Sequence, residues 1–371
     1  MSTKKICILG TGSGAMAVSG FLAHKGFDVS LWDDGDFTDN IRAIQEHESC
    51  IELTGEGHIG KIRLRQVTTD MAQAVSKAAM ILLIMPSFAF GVTARKLAAH
   101  LKPGMKVYVC CGSTGGALEI AKIFHDSGKL QGVCVGEFSE LPLGCFKTGP
   151  TSVRINTVVP YNEFSAFPAK DTEKLLPEIQ EVFGDVRPLR DVLESALANG
   201  NIVCHGPVVM LNAAGTEGNP DNHHYRDGIT PSVARVMDAV DTERIAVGKV
   251  LGYKILPIAE SCVASGYCPK LLENTYLTFR TSQDFMTAPG PTTLHHRYMT
   301  EDIPYSALVV SVLGRVTGVP TPVTDAMITV CSALMGQDYW TEGRTADVLG
   351  VDGMDADAIL RFLQEGYPEL G

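Results

Sequence analysis

The sequence predicts an α/β domain built on a doubly wound parallel sheet, followed by an all-α domain. Three observations carry this expectation. In the first half, continuous apolar strands alternate with amphipathic helices, a pattern that requires a sheet covered on both faces. From about Asp191 onward, helix signals dominate. The 371 residues, 45% of them apolar, are enough for more than one core.

Taken in order, Lys5–Leu9 reads as a strand and Ser13–Lys25 as a helix with Ala15, Val18, Phe21 and Leu22 on one side, stopping at Gly26. Asp28–Trp32 is a second strand, and Met80–Met85 a buried one ended by Pro86. Phe88–His100 reads as a helix, Lys106–Cys111 as a strand, and Ala117–Asp126 as the helix beyond a Gly-rich turn. Val133–Val135 and Val153–Val159 are further strands. Pro160–Pro188 reads as the passage between domains, which puts the boundary between residues 1–187 and 188–371. In the second part, Thr230-Pro231 supplies an N-cap and a proline at the first helical position. The helix it opens carries Val233, Val236, Met237, Val240 and Val247 and stops at Gly252. Further helices are expected over 257–266, 304–318, 322–335 and 355–365.

Composition excludes several functions. The chain carries 31 Lys+Arg against 42 Asp+Glu, a formal charge of −11. Residues 1–150 hold 15 basic and 14 acidic groups, and residues 151–371 hold 16 and 28. Neither part supplies the basic footprint of a nucleic-acid binder. The longest apolar run, Ala78–Met85, is far below the roughly 18 residues a membrane span needs. The start of the chain lacks a signal-peptide core, so a cytoplasmic location is expected. The ten cysteines show no C-x-x-C spacing and read as reduced, mostly buried thiols. No metal-ligand motif is present, so no metal is expected.

Gly10-Thr-Gly12-Ser13-Gly14-Ala15 follows the first strand and opens the first helix, a G-x-G-x-x-A pattern. Gly10 permits a tight turn, Gly12 lets the backbone approach a pyrophosphate, and Ala15 allows close helix–strand packing. The helix start offers N–H groups and a positive dipole end to the phosphates. Asp33 ends the second strand, where a carboxylate accepts bonds from ribose hydroxyls and repels a 2′-phosphate. Asp34 and Asp36 follow, with no basic residue before Arg42. A Rossmann-type dinucleotide site that takes NAD, with NADP less favoured, is therefore expected.

Four later segments concentrate polar groups in apolar sequence: Asn199–Asn212, Glu137–Cys145, Asn222–Pro231 and His295–Pro304. Histidine suits proton transfer near neutral pH, a carboxylate on its other nitrogen would fix the tautomer, and arginine can hold a substrate carboxylate bidentately. Taken alone, His205 reads more readily as a satisfied core residue, His223 and His224 as loop residues, and Glu301-Asp302 as the acidic start of a helix. Spacing alone does not bring these groups together.

With these residues in view, the chain resembles the octopine/nopaline family of opine dehydrogenases over nearly its whole length. The resemblance is carried by the glycine motif, Glu137…Leu141-Pro142…Cys145, Asn201-x-x-x-His205…Leu211-Asn212 and Tyr225-x-x-Gly228-Ile-Thr-Pro-Ser-Val233. It continues in Asp241-x-Glu243-Arg244 and Arg297-Tyr-x-x-Glu301-Asp302-Ile-Pro304. It implies an enzyme that joins the amino group of an amino acid to a 2-oxo acid and reduces the imine with a nicotinamide cofactor. It also implies His205 as the catalytic histidine, Asp302 as its carboxylate partner and Arg297 as the holder of a substrate carboxylate. Asn201 would help position substrate or nicotinamide, and Glu137, Glu140 and Cys145 would belong to the substrate wall. Substrates would meet between the two domains, and a homodimer is a candidate assembly. The chain departs from the family pattern at Gly206-Pro207 after His205 and at Thr216-Glu217, positions that bear on pocket shape. Two other readings fit the same plan: a ketopantoate-type or 2-oxo acid reductase, and a dinucleotide-binding sensor without turnover.

Overall fold

The computed structural model describes residues 4–35, 38–56, 59–110 and 115–368. Asp36, and Cys111 at the end of the strand expected over Lys106–Cys111, lie outside the described residues. Two compact units divide the chain: Met1–Ser195 with Arg361–Gly371, and Ala196–Leu360. The second unit thus begins and ends inside the stretch 188–371 expected for the helical domain.

The first unit carries twelve strands among its described residues: β1 (Lys5–Leu9), β2 (Asp28–Trp32), β3 (Cys50–Gly55), β4 (Gly60–Arg63), β5 (Gln66–Thr68), β6 (Met80–Leu83), β7 (Lys106–Val109), β8 (Cys134–Phe138), β9 (Leu143–Lys147), β10 (Ser152–Val158), β11 (Asn162–Phe167) and β12 (Val186–Pro188). Its helices are α1 (Ser13–His24), α2 (Thr38–Glu46), α3 (Met71–Val75), α4 (Phe90–Ala98), α5 (Gly116–Asp126) and α6 (Thr172–Phe183). The main sheet runs β12-β11-β8-β7-β6-β1-β2-β5. From β5 to β8 every pairing is parallel. The order reverses between β1 and β6, so the carboxyl ends of these two strands flank the switch point where open sheets of this kind bind ligands.

Two features depart from the expected layout. The stretch 160–187, read as a passage between domains, is instead strand, helix and strand within the main sheet. β11 pairs antiparallel with β8 and parallel with β12, and Phe164, Ile179 and Val182 are fully buried. The predicted strand at Val153–Val159 forms as β10, but in a separate four-stranded sheet, β4-β3-β10-β9. Ile51, Leu53, Val153 and Ile155 of this sheet share a core with Ala15, Met16 and Val18 of α1. Helix α1 is therefore buried on two faces, and a Cβ at Gly20 would stand 2.8 Å from Leu53 Cδ1.

The last described residues belong to this first unit. Phe362 packs against Phe167 with ring centroids 5.0 Å apart, Tyr367 stacks on His125 at 4.0 Å, and Lys170 pairs with Glu365 at 3.1 Å.

Helix α7 (Val192–Ala198) leads into the second unit, whose helices are α8 (Asn201–Cys204), α9 (Gly206–Leu211), α10 (Ala213–Gly218), α11 (His224–Gly228), α12 (Pro231–Val250), α13 (Ile258–Ala264), α14 (Thr275–Phe279), α15 (Gln283–Thr287), α16 (Arg297–Thr300), α17 (Leu308–Thr317), α18 (Pro322–Met335), α19 (Tyr339–Glu342) and α20 (Ala346–Leu349). Helix α21 (Ala356–Glu365) returns to the first unit. No helix among the described residues is long and apolar enough to cross a membrane.

The Asp241-x-Glu243-Arg244 segment of α12 holds the second unit together. Arg244, 1% exposed, bonds Asp241 and donates to the carbonyls of Leu197 at 2.5 Å and Leu256 at 2.9 Å. Asp241 Oδ2 accepts the Ile258 N–H at 2.7 Å, and Glu243 accepts the N–H groups of Val323 and Thr324, both at 2.8 Å. These buried charges are fully engaged with helix termini, which offsets the cost of burying them.

Candidate active site

The first constellation stands at the carboxyl ends of β1 and β2. Gly10 has φ of +119°, and a Cβ there would lie 2.3 Å from the Ile84 carbonyl oxygen, so only glycine fits the turn. A Cβ at Gly12 would meet nothing within 4 Å, which leaves the loop backbone open to a ligand. Ala15 is fully buried, and α1 starts on Gly12 with no side-chain cap, so its first N–H groups remain for an anion. Ser13 Oγ accepts the Lys147 N–H at 3.1 Å, and a Cβ at Gly14 would press within 2.7 Å of Leu141. These residues fit a dinucleotide pyrophosphate.

Asp33 accepts from the Thr11 hydroxyl and, at 2.8 Å, from the Asp34 N–H. Burial pushes its carboxyl up, against the lowering effect of those two bonds. Asn40 donates to Thr11 at 3.1 Å, and Lys147 donates to Asn40 at 2.8 Å. Burial lowers Lys147, and the nearby Asp33 opposes that. Lys96 pairs with Asp34. Sequence reading missed Thr11, Asn40 and Lys147. Lys147 arrives from β9, 107 residues beyond Asn40, and only the small sheet over α1 brings it there.

The second constellation lies in the helical unit, around a break between α8 and α9. His205 stands at that break with φ −111° and ψ −61°, and it is 6% exposed. Its Nδ1 lies 2.6 Å from Asp302 Oδ2, and Asp302 is 2% exposed. Asp302 precedes a π-helical turn, Ile303–Ala307, which leads into α17. Such turns re-aim the residues beside them and recur at functional sites. The turn is braced from behind: the Arg344 N–H donates to the Pro304 carbonyl at 2.8 Å, and its fully buried guanidinium donates to the Tyr305 carbonyl at 3.3 Å.

Burial pushes Asp302 up to about 7, with Arg297 and His296 pulling it down. Burial holds His205 well below its usual range; Arg297 and His296 add to this and Glu301 opposes it. Burial is the largest cause in both and favours the neutral form of each, whereas either group, once charged, favours the opposite charge on its partner across the 2.6 Å contact, so the two titrate as a unit. Tyr225 Oη lies 3.3 Å from His205 Nε2, and the Tyr298 ring stacks on the imidazole at 3.6 Å. His224 is not the loop residue the sequence suggested. It opens α11, is 3% exposed, and its Nε2 meets the Cys204 carbonyl at 2.9 Å. Burial lowers it to about 3.

Arg297 is half exposed and lies 3.4 Å from Glu301. Asn201 sits one turn before His205, whose N–H donates to the Asn201 carbonyl at 2.9 Å. Glu137 belongs to the first unit and is fully buried, accepting the Ala117 N–H at 3.0 Å near the start of α5. Glu140 and Cys145 are half-buried. Burial and Glu163 raise Glu140, and burial raises Cys145 to about 11. Tyr225 and Tyr298 were missed as site residues, although both stand inside segments singled out for polar content.

Residues 188–335 match the family model for the α-helical domain of NAD/NADP octopine/nopaline dehydrogenase. Residues 5–118 match the N-terminal model of NAD-dependent glycerol-3-phosphate dehydrogenase. The opine dehydrogenase of Arthrobacter sp. (strain 1C) is 32% identical over 360 residues, 97% of this chain and 98% of that one. Protein ocs of Agrobacterium tumefaciens (strain Ach5) is 24% identical, covering 97% and 99% of the two chains. An octopine dehydrogenase solved with NADH and L-arginine superposes over 100% of both chains with a TM-score of 0.81 at 21% identity, a likeness of fold.

Proposed function

Because the chain belongs to the opine dehydrogenase family, and so is an NAD(P)-dependent oxidoreductase that reductively joins an amino acid to a 2-oxo acid, we propose that His205 and Asp302 are its proton-handling pair. The observation that carries this is the 2.6 Å contact between His205 Nδ1 and Asp302 in a buried setting. The carboxylate holds the Nδ1–H tautomer and leaves Nε2 to face substrate. In the reductive direction the imidazolium gives its Nε2 proton to the carbinolamine hydroxyl, which leaves as water; in reverse the neutral imidazole takes that proton back from the water that adds to the imine. Asp302 stabilises the imidazolium formed in between. The bound nicotinamide supplies or accepts the hydride.

Arg297 is the group for a substrate carboxylate, steadied by Glu301. Asn201, on the same side of the chain as His205, contacts substrate or nicotinamide. Glu140 and Cys145 line the amino-acid pocket, whereas Glu137 acts through α5. NAD is preferred over NADP because the Asp33 carboxylate accepts ribose hydroxyls and repels a 2′-phosphate.

The test is a matrix of initial rates for amino acids against 2-oxo acids, with NADH and with NADPH, for wild type and His205→Gln. We expect amine-dependent NADH oxidation, with kcat/KM for NADPH lower by about tenfold or more. His205→Gln should lower kcat by about 10²–10⁴ and leave NADH binding unchanged. NADH oxidation by an oxo acid alone, never accelerated by an amine, would overturn the condensation reading. Unchanged turnover in His205→Gln would remove that residue from the mechanism.

A further inference from the structure

With Nδ1 bonded to Asp302, Nε2 is the nitrogen of His205 left for chemistry, and Tyr225 Oη already lies 3.3 Å from it. The tyrosine is held firmly. Its ring stacks on Phe285 at 4.3 Å with planes 21° apart and meets Phe279 edge-on at 6.2 Å. Both phenylalanines come from short helices with side-chain caps. Asn274 accepts the Leu277 N–H at 2.9 Å, and Ser282 accepts the Phe285 N–H at 3.2 Å. Packing alone would be served as well by phenylalanine at 225. The hydroxyl is the part that packing leaves unexplained: it reaches His205 Nε2 and is also a hydrogen-bond partner of Tyr298, whose ring stacks on the same imidazole.

We propose that Tyr225 is a positioning residue for the reaction: its hydroxyl donates to His205 Nε2, holds the ring in the Nδ1–H tautomer, and yields that nitrogen to substrate. The inference rests on reading His205 as the proton carrier. Tyr225 serves as a donor and not as a base, because burial keeps its phenol protonated; Cys204, Tyr298, Cys262 and Asp302 act in the same direction. A bond donated to Nε2 favours the neutral imidazole. It therefore acts with the Arg297 and His296 charges and against Glu301 and Asp302, which favour the cation. His224, edge-on to His205 at 5.6 Å, is kept neutral by burial near neutral pH.

Two variants of the full chain test this: Tyr225→Phe, and site-specific replacement of Tyr225 by 3-fluorotyrosine, a more acidic and stronger donor. The readouts are the His205 ring-nitrogen NMR signals in ¹⁵N-histidine-labelled protein and the pH dependence of NADH oxidation with pyruvate and the fastest amino acid of the panel. In Tyr225→Phe we expect NADH binding and melting temperature near wild type. The Nε2 signal should move toward that of a nitrogen accepting no bond, and kcat should fall about three- to tenfold. The limb of the pH profile governed by the dyad should move up by about half to one unit. Fluorotyrosine should move that limb down. A wild-type limb and Nε2 signal in Tyr225→Phe, or movement of both variants in the same direction, would overturn the proposal. If Tyr225→Phe does not fold, the fluorotyrosine shift decides. If wild type lacks amine-dependent turnover, the functional reading fails, and the Nε2 signal still decides the role of Tyr225.

Discussion

A buried imidazole that refuses a proton makes the fold acid-sensitive, and His224 gives this a definite sign. Its folded-state value of about 3 lies below the ordinary value near 6.5. The unfolded chain therefore binds a proton that the folded chain does not, and stability falls as pH drops from about 6.5 toward 3. The contribution is complete above 6.5. His224→Gln keeps a donor for the Cys204 carbonyl and should flatten the dependence of unfolding free energy on pH across that window, by on the order of a few kcal/mol at its acid end. Denaturant melts at several pH values measure it; equal slopes in both proteins would refute it. His205, lowered in the same direction, contributes to the slope that remains. At this scale only part of the site is legible in sequence. His205 and Asp302 stand 97 residues apart, and the family resemblance, not spacing, linked them. Tyr225 and Tyr298 carry no pattern that separates a stacking partner from core. The buried acids of α12 looked like family signature and prove to be helix-end partners.

At the scale of elements, the π-helical turn sets where Asp302 stands, and Arg344 sets the turn. Arg344 is fully buried and reaches two carbonyls of that turn through its backbone and side chain. Arg344→Met should cost about 3 kcal/mol. It should also lower kcat about tenfold through Asp302, with KM for NADH unchanged; a stability loss with no change in kcat would confine Arg344 to the fold. Elements with strong apolar periodicity were legible to within a few residues: β1, β2, α12 and α18 among them. In the small sheet only β10 was, and β3, β4 and β9 were not. β4 has four residues and none fully buried, and β3 mixes buried Ile51 and Leu53 with exposed Glu52, because one face covers a helix instead of filling a two-sided core. The segment β11–α6–β12 was hidden for another reason. Pro160, Pro168, Pro177 and Pro188 punctuate it like a linker, yet Pro177 sits inside α6, whose Leu175, Leu176, Ile179 and Val182 are buried.

For the whole molecule, the two-class architecture followed from alternation in one half and helix signals in the other, and the division into units did not. The first unit is completed by residues after Leu360, which no local pattern announces. Phe362 is a direct probe. Phe362→Ala removes the ring that packs on Phe167 and should destabilise the protein by about 2–3 kcal/mol. The loss should appear in thermal melts and be partly restored by saturating NADH, because the ligand binds only the folded first unit. Equal losses with and without NADH would count against this.

That closing contact also has a consequence for synthesis. Chains emerge from the ribosome at about 5–20 residues per second, and N-terminal domains commonly fold first. Here the aromatic seat formed by Phe167 and His125 waits uncovered while the entire helical unit is translated, until Phe362 and Tyr367 arrive. The nucleotide-binding unit is thus begun first and finished last, and a stalled or prematurely ended message leaves it with an exposed apolar patch for chaperones to hold.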